Sequence, residues 1–384
     1  MDDQHTFYEF FAGGGMARAG LGDGWRCLFA NDFDRKKAES YRANWGGEAL
    51  HVGDVREIST AQLPGRADLV WASFPCQDLS LAGAGAGLKG ERSGTFWPFW
   101  ALMKALRKEG RAPSMIVLEN VCGALTSHGG KDFVKICEAL AKENYRFGAL
   151  VIDAALFVPQ SRPRLFIIAA REDVAVPSAL TIKSANALFH TRALVAAHER
   201  LPKALRDNWL WWDLPAPPLR NKSLIDAIED APTDVEWHSV SETNALIAMM
   251  SDVNLAKIVE AKRAGRKMVG TLYRRTRYQN GVKIQRAEAR FDEIAGCLRT
   301  PAGGSSRQYV LVVDEGRLRS RLMSARETAR LMGLPDEYVL PENYNEAYHL
   351  TGDGVVVLVV QYISDHILRP LALASKGKKS REAA

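Results

Sequence analysis

Cysteine and long hydrophobic runs are scarce in this 384-residue sequence. Five cysteines with no Cys-x-x-Cys pair argue against a disulfide framework and a four-cysteine zinc site, so we expect a reducing cytoplasm and no bound metal. The longest purely aliphatic run, 355–360, is far too short to cross a bilayer, so we expect no membrane partner. The acidic, polar start, MDDQHTF, does not resemble a signal peptide.

Net charge is also small, because 51 Lys and Arg against 45 Asp and Glu leave only +6. The excess is concentrated in residues 262–290, the basic window, which holds ten Lys or Arg and one acid, Glu288, for a local net charge of +9. The rest of the chain is therefore slightly acidic. Such a window indicates either a polyanion site or a solvated helix face followed by a hairpin, and charge alone does not decide between them.

Short apolar runs alternate with amphipathic stretches up to about residue 170. Most runs are short and bounded by polar, Gly or Pro residues, as buried parallel strands are. The runs are 7–11, 27–30, 69–73, 115–118, 148–152 and 165–169, and the helix-like stretches are 17–21, 35–44, 96–108 and 130–143. Strands that alternate with helices predict an α/β fold with a doubly wound, mainly parallel sheet.

The pattern changes after Arg171. Residues 174–250 are irregular and rich in Pro and Trp, and the basic window follows them. A strand-like run at 309–313 comes next. Ser324 and Glu327 have the spacing of a capping box, which predicts a helix that starts there. A last apolar helix is expected at about 356–368.

A glycine-rich turn, residues 11–15, joins the first predicted strand to the first helix and lets a ligand approach the backbone. Asp32 follows about twenty residues later, where an acid at the end of a second strand binds ribose hydroxyls. No part of GGGMARAG fits Gly-x-Gly-x-x-Gly, so a nicotinamide dehydrogenase is disfavoured. An adenosine ligand without a pyrophosphate fits better, with a plain tight turn as the alternative.

Polar motifs also follow later strands. Cys76 comes directly after the run 69–73, where a thiolate can be activated, although a small buried hydrophobe is the commoner role of a lone cysteine. Glu119 emerges from an apolar strand, which predicts a raised pKa unless it serves as a cap or an ion-pair partner. Arg162 and Arg164, two apart in an extended segment, should point the same way and hold a carboxylate, a phosphate or a carbonyl oxygen, unless they are structural.

Taken in order, the motifs FAGGG, NDFD, GDV, PCQ, ENV, QSRPR and RETARLMGLP…GDGV resemble the DNA (cytosine-5) methyltransferase family, which uses S-adenosylmethionine. The resemblance extends from Phe7 to about Leu368 and is weakest between about 175 and 290. It implies a Rossmann-like methyltransferase fold with a smaller, irregular target-recognition domain. The implied division is a catalytic domain at 1–173, a DNA-reading domain at 174–313 and a return to the catalytic domain at 314–384.

The resemblance also implies a cofactor site. S-adenosylmethionine, which becomes S-adenosylhomocysteine, would be bound by Phe11, Ala12, Gly13, Gly15, Asp32, Phe33, Asp54, Val55, Pro75, Phe96, Asp353 and Val355. Within this set, Asp32 would bind the ribose hydroxyls, Phe33 would pack on the adenine, and Asp54 would accept from the adenine amino group.

For the reaction, the resemblance implies that the Cys76 thiolate adds to C6 of a flipped-out cytosine. Glu119 would hydrogen-bond or protonate N3, and Arg164, with or without Arg162, would hold O2. The glycine-rich segment 82–94 would be the lid, with a simple linker as the alternative. Contacts to duplex DNA would come from Gln77, Ser80, Arg92, Arg274, Arg275, Arg277 and Arg307.

We further expect a monomeric, cytoplasmic, nucleoid-associated protein of bacterial or phage origin, with or without a cognate restriction endonuclease. Two departures stand out: Asp353 replaces the Asn that usually follows Gly352, and Leu358 falls where many relatives have Pro. Two rivals share the fold, a tRNA cytosine-5 methyltransferase and a catalytically inactive DNA-binding regulator. The long basic insertion favours DNA over tRNA, and the presence of Cys76 and Glu119 favours an active enzyme.

Overall fold

The computed structural model describes residues 4–75, 95–279, 281–300 and 307–382. The chain forms two compact units. Unit 1 comprises Met1–Asp153, Pro163–Pro217 and Val359–Ala384, and unit 2 comprises Ala154–Arg162 and Pro218–Leu358. The predicted recognition segment, 174–313, therefore contributes residues to both units.

Unit 1 contains a seven-stranded sheet with the order β3-β2-β1-β4-β5-β7-β6. The strands are β1 His5–Phe10, β2 Trp25–Asp32, β3 Leu50–Val52, β4 Leu69–Ala72, β5 Met115–Val121, β6 Tyr145–Asp153 and β7 Pro163–Arg171. The pairs from β3 to β5 are parallel, whereas β7 pairs antiparallel with both β5 and β6. This arrangement confirms the predicted mainly parallel α/β sheet.

Helices accompany these strands. They are α1 Met16–Leu21, α2 Arg35–Trp45, α3 Phe96–Lys108, α4 Lys131–Lys142, α5 Arg192–Glu199 and α6 Lys203–Asp207. Strand β4 is fully buried, as are six of the seven residues of β5, which explains their almost unbroken apolar sequence. Helix α4 buries one face, with Phe133, Ile136 and Leu140 in the core of the sheet.

Residues 174–217 do not form an independent domain, because their apolar side chains belong to the core of unit 1. Leu194, Leu201 and Trp209 pack in the same cluster as the strands of the sheet. The short strands β8 Thr181–Ile182 and β9 Trp211–Trp212 pair in this segment. A Cβ on Gly148 would lie 1.8 Å from the carbonyl oxygen of Leu210, so β6 needs glycine where this segment packs against it.

Unit 2 is built around a four-stranded antiparallel sheet with the order β11-β10-β12-β13. Its strands are β10 Met268–Gln279, β11 Val282–Arg290, β12 Gln308–Asp314 and β13 Arg317–Leu322. Its helices are α7 Leu224–Ala227, α8 Val240–Ala248, α9 Asp252–Arg263, α10 Ala325–Leu331 and α11 Tyr344–Asp353. The predicted capping box is confirmed, since Ser324 caps α10 with Glu327 as its partner.

The chain ends in α12 Val357–Ile363, a π-helical turn at Ser364–Leu368 and α13 Arg369–Glu382. The apolar helix expected at 356–368 is therefore present. Among the described residues, one helical stretch, Tyr344–Ser375, is long enough and apolar enough to cross a membrane. However, 61% of its most apolar window is buried within the protein. Such burial is the pattern of a core helix.

The C-terminal helices also contact the first strands of the sheet in unit 1. The hydroxyl of Ser364 accepts a hydrogen bond from the Trp25 indole at 3.0 Å.

Candidate functional site

The turn after β1 has an unusual backbone. Phe11, Gly13 and Gly15 have φ values of 59°, 55° and 77°, so three of its residues adopt the left-handed conformation. At Gly15 an added Cβ would lie 2.4 Å from the indole nitrogen of Trp45, which donates to the carbonyl oxygen of Gly14 at 3.0 Å. At Gly13, apart from its two chain neighbours, no atom of the described residues lies within 4 Å of the position that a Cβ would take. The turn therefore exposes its backbone at Gly13, whereas Trp45 packs against it at Gly15.

Asp32 connects this turn to the end of β2. One carboxylate oxygen accepts from the Gly13 amide and the other from the Asp34 amide, each at 2.8 Å. Asp32 is 7% exposed. Burial raises its pKa, while Lys37 and the two amides act in the opposite direction. Because a carboxylate offers about four acceptor positions, Asp32 can hold the turn and still accept from ligand hydroxyls.

Asn31 and Asp54 shape the neighbouring strand end. The Asn31 amide donates to the carbonyl oxygens of His51 and Gly53, at 3.2 and 2.9 Å. Asp54 accepts from the backbone and the guanidinium of Arg56, and this hydrogen-bonded pairing lowers its pKa. Sequence reasoning gave Asn31 no role, although its position in NDFD beside Asp32 was a usable signal.

The aromatic residues assigned to the site differ in exposure. Phe33 is 69% exposed at the end of β2, as a side chain that stacks on a planar ligand would be. Phe96 is fully buried, with its ring centre 5.3 Å from that of Phe74 and 5.8 Å from that of Trp100. The structure therefore places Phe96 in the aromatic core. Ala12 and Val55 are also buried, and Pro75 is half-buried.

A buried acid lies within β1, before the turn. Glu9 is 1% exposed, and its Oε2 atom has no hydrogen-bond partner among the residues that the structure describes. Burial raises the pKa of this carboxyl to about 8, although Arg18 lowers it. Glu9 is thus mainly neutral at pH 7. An acid within the apolar run YEFF was a sequence signal for a buried carboxyl group, but sequence reasoning gave Glu9 no role.

Glu119 and Arg164 lie side by side in the structure. They occupy the paired strands β5 and β7, and the Arg164 Nε atom lies 3.4 Å from the Glu119 carboxylate. Their side chains are 10% and 16% exposed, respectively. A carboxyl group and a guanidinium side by side, mostly buried, can bind the adjacent ring nitrogen and carbonyl oxygen of a pyrimidine.

Asn120 has a role that sequence reasoning missed. Its amide donates to the carbonyl oxygen of Phe74 at 3.1 Å, and this contact is buried. Phe74 is two residues before Cys76. The side chain after Glu119 thus fixes the backbone that leads from β4 to Pro75. The motif ENV contains both residues, but sequence reasoning assigned a role to Glu119 and none to Asn120.

Among the described residues, Arg162 and Arg164 contact different partners. It lies in unit 2 and is 2% exposed, and its guanidinium donates to the carbonyl oxygens of Leu298, Gly352 and Gly354 at 2.7, 2.9 and 2.7 Å. Strand β7 begins only at Pro163, so strand alternation does not apply to Arg162. The expectation that both arginines hold one group is not met in the structure.

The segment held by Arg162 contains the two assigned C-terminal residues. Asp353 ends α11 and accepts a hydrogen bond from the Thr300 hydroxyl, and Val355 is buried. A Cβ on Gly352 would lie 2.9 Å from the Arg299 carbonyl carbon, so glycine is needed there. Leu358, the second departure, is 36% exposed.

The basic window contains the β10–β11 hairpin, whose register divides its arginines. Arg275 and Arg277 lie on one face with Glu288, which contacts both at 3.4 and 2.5 Å. Arg274 lies on the opposite face, 5.7 Å from the ring centre of Tyr309, which belongs to the core of unit 2. Arg307 stacks on Tyr344 and donates to Asn345 in α11.

Comparison with known proteins decides the family. The model of the C-5 cytosine-specific DNA methylases matches residues 5–369. The chain belongs to this family. The type II methyltransferase M.BsuFI of Bacillus subtilis is 27% identical to it over 371 residues, which cover 96% of this chain and 74% of the relative. M.HhaI of Haemophilus parahaemolyticus is 25% identical over 364 residues, which cover 94% and 93%.

Solved structures agree on the fold. The methyltransferase EhMeth of Entamoeba histolytica has a TM-score of 0.64 at 13% identity, with 96% of this methylase and 99% of that chain covered. The Dnmt2 methyltransferase of S. pombe has a TM-score of 0.59 at 16% identity over 96% and 99% of the two chains. The predicted family, Rossmann-like fold and enzyme class, DNA cytosine-5 methyltransferase, are thereby confirmed.

Four residues that the sequence assigned to the methylase site, Cys76, Gln77, Ser80 and Arg92, lie outside the described residues, as does the segment 82–94. Within unit 1, the structure brings Gly13 to Asp32 and Glu119 to Arg164, and Asn120 to the carbonyl oxygen of Phe74. Within unit 2, it brings Arg162 to the carbonyl oxygens on either side of Asp353.

Proposed function

We propose that this methylase transfers a methyl group from S-adenosylmethionine to C5 of a flipped-out cytosine within a specific duplex DNA sequence, through a transient bond between Cys76 and C6. The observation that carries the proposal is the mostly buried pair of Glu119 and Arg164. Glu119 lies on β5, which adjoins β4, the strand before Cys76, and Arg164 lies on β7, on the other side of β5. Family membership and the type II relatives support DNA as the substrate.

The residues around the glycine turn fit S-adenosylmethionine. Among the described residues, the space beside Gly13 is open and allows close approach to the backbone. Asp32 offers acceptors for ribose hydroxyls, and Phe33 offers an exposed ring for adenine. Asp54, although paired with Arg56, keeps 30% of its side chain exposed and can accept from an amino group. When bound, S-adenosylmethionine supplies an electrophilic methyl group and leaves as S-adenosylhomocysteine.

The protein residues activate the cytosine. The Cys76 thiolate adds to C6, which forms a sulfur–carbon bond and makes C5 electron-rich. Glu119 hydrogen-bonds or protonates N3 and favours this addition, while Arg164 holds O2. After C5 has gained the methyl group, water removes its proton, the bond to C6 breaks and the thiolate is released. Since C6 is shielded in a stacked duplex, the base must first leave the helix.

The remaining assignments form part of the same proposal. Residues 174–313 read the DNA, residues 1–173 and 314–384 carry out the chemistry, and the contacts to DNA include Gln77, Ser80, Arg92 and Arg307. The protein acts as a monomer in the cytoplasm, at the nucleoid, without a metal or a membrane. The bacterial type II relatives support a cognate restriction endonuclease as a companion.

The proposal is tested with radiolabelled S-adenosylmethionine. Wild-type protein should label unmethylated duplex DNA and leave tRNA unlabelled. Cys76→Ala should lose all transfer and keep its affinity for DNA. Label on tRNA alone would favour the tRNA methyltransferase, and DNA binding without transfer would favour the inactive regulator. Loss of DNA binding in Cys76→Ala would indicate a structural cysteine.

A further inference from the structure

The face of the β10–β11 hairpin that carries Arg275 and Arg277 is built differently from a simple cationic patch. Register pairs Arg275 with Arg286 and Tyr273 with Glu288, so these four side chains and Arg277 share one face, which we call the arginine face. It is separate from the face of Arg274, where Leu272, Ala287 and Ala289 join the core of unit 2.

Glu288 accepts a hydrogen bond from Arg277 and forms a longer ion pair with Arg275. One of its oxygens lies 2.5 Å from Nη2 of Arg277, and the other lies 3.4 Å from Nε of Arg275. Arg275 also donates to the Tyr273 hydroxyl at 2.5 Å, with its guanidinium carbon 4.5 Å from the centre of that ring. Although burial acts to raise the pKa of Glu288, the hydrogen bond from Arg277 and the positive charge of Arg275 lower it, so the carboxylate is charged at neutral pH.

The arrangement suits a base edge better than a phosphate. Phosphate binding depends on positive charge, and an acid between two arginines weakens it. Base recognition depends on the direction of the donors, which an acid improves by fixing the side chains. A guanidinium has five donors, so contacts with Glu288 and Tyr273 leave others for a second acceptor. The side chains of Arg275 and Arg277 are 35% and 51% exposed.

We propose that Arg275 and Arg277 read guanines in the major groove of the target DNA, and that Glu288 is the positioning residue that orients them. A two-stranded ribbon fits the major groove, and guanine presents there the two acceptors, O6 and N7, that an arginine binds in a bidentate manner. The inference rests on the proposed function, because it requires a duplex DNA substrate. It predicts that the target sequence contains guanines outside the methylated base pair.

The test uses a duplex DNA library with random sequence. Wild-type protein and variants methylate the library, and bisulfite sequencing gives the preference at each position. Arg275→Gln and Arg277→Gln should each relax one G·C position, by roughly tenfold to hundredfold in relative methylation. Arg274→Gln is the matched control, because it makes the same charge change on the opposite face. Although the sequence assigned Arg274 to the DNA contacts, the structure packs it over Tyr309, so this variant should keep the wild-type motif.

Glu288→Gln separates positioning from charge. The variant removes a negative charge and keeps the size of the side chain, so its affinity for non-specific DNA should equal or exceed that of the wild type. If Glu288 orients the arginines, the variant should nevertheless lose discrimination at the same G·C positions. Thermal unfolding of each variant checks that the fold is kept.

Three outcomes would overturn the proposal. Arg275→Gln and Arg277→Gln could lower methylation of every sequence equally, each with a salt slope smaller by about 1, which would mark phosphate contacts. All variants could keep the wild-type motif, in which case the arginine face does not read DNA. Both results leave the proposed function intact. A wild-type protein that methylates no DNA would instead refute the proposed function, and this inference with it.

Discussion

At the carboxyl ends of β1, β2 and β5 in unit 1, the side chains of Asp32, Asn31 and Asn120 bind backbone atoms. On the arginine face of unit 2, Glu288 binds the side chains of Arg275 and Arg277. The first region fixes the path of the main chain, as a site for a small ligand requires. The second fixes the direction of long side chains above a regular strand pair, as recognition of a large surface requires.

The two regions also shift the pKa of a glutamate in opposite directions. Glu9, in β1, is buried, and one of its oxygens has no hydrogen-bond partner in the described part of the chain. Burial raises its pKa to about 8. Glu288 is partly exposed, and although burial acts to raise its pKa, the arginines lower it. One acid is therefore neutral and the other charged at pH 7. The two acids should therefore give opposite pH dependences of the free energy of unfolding, and measuring these is the strongest test of the difference between the two regions.

The largest effect is expected from Glu9→Gln. A folded-state pKa of about 8, above the ordinary 4.5, means that folded protein keeps a proton that unfolded protein releases. Stability from this group is therefore complete below about pH 4.5 and falls as pH rises to 8. Glutamine cannot ionise, so the variant should be more stable than the wild type at pH 8, by on the order of 4 kcal/mol. Urea unfolding between pH 5 and 8 measures the difference.

Glu288→Gln is the control for this measurement. Its lowered pKa contributes stability above about pH 4.5 that is lost only as pH falls further, so its stability should parallel that of the wild type from pH 5 to 8. A Glu9→Gln variant with an unchanged pH slope would show that Glu9 is ionised in the folded protein.

Asp32→Ala should act on the cofactor. Loss of the carboxylate removes the ribose acceptors and frees the Gly13 amide, so affinity for S-adenosylhomocysteine should fall by tenfold to hundredfold, or roughly 1.5–3 kcal/mol. Calorimetric titration measures the dissociation constant. Asp34→Ala, which removes only the cap of α2, should cost about 1 kcal/mol of stability and leave affinity nearly unchanged. Equal affinity losses in both variants would contradict a specific role for Asp32.

Asn120→Ala should affect the chemical step. The lost hydrogen bond to Phe74 frees the backbone that leads to Cys76, and kcat should fall roughly tenfold, a cost of about 1–2 kcal/mol. Single-turnover methylation with saturating DNA gives the rate, and titration with S-adenosylhomocysteine should give the wild-type affinity. Weaker cofactor binding with an unchanged rate would assign Asn120 to the cofactor site instead.

The smallest effect should distinguish the two faces of the ribbon. Arg274→Ala removes a side chain that packs over Tyr309 and should lower the free energy of unfolding by about 1 kcal/mol. Arg277→Ala, on the half-exposed arginine face, should change it by less than about 0.5 kcal/mol. Urea titrations of both variants would show the difference. Equal losses would mean that the faces are not separated as the register indicates.

The candidate site was predictable where neighbours in sequence suffice. Asp32 was found because the end of β2 follows a fixed distance after the glycine turn, and Glu119 because an acid ended an apolar run. Asn31 and Asn120 were missed because their partners, the carbonyl oxygens of His51 and Phe74, are distant in sequence. A neutral amide has no periodicity or charge pattern that would reveal such a contact.

By itself, the sequence determined the family, the parallel strands and the capping box of α10, since each depends on local composition or on the order of motifs. Three features became visible only in the tertiary structure. Residues 174–217 add side chains to the core of unit 1, and Arg162 donates to carbonyl oxygens in unit 2. Arg274 and Arg277 lie on opposite faces of the β10–β11 hairpin. The reason is that strand register and long-range packing decide which side of the backbone meets which partner, and both depend on residues far apart in the chain.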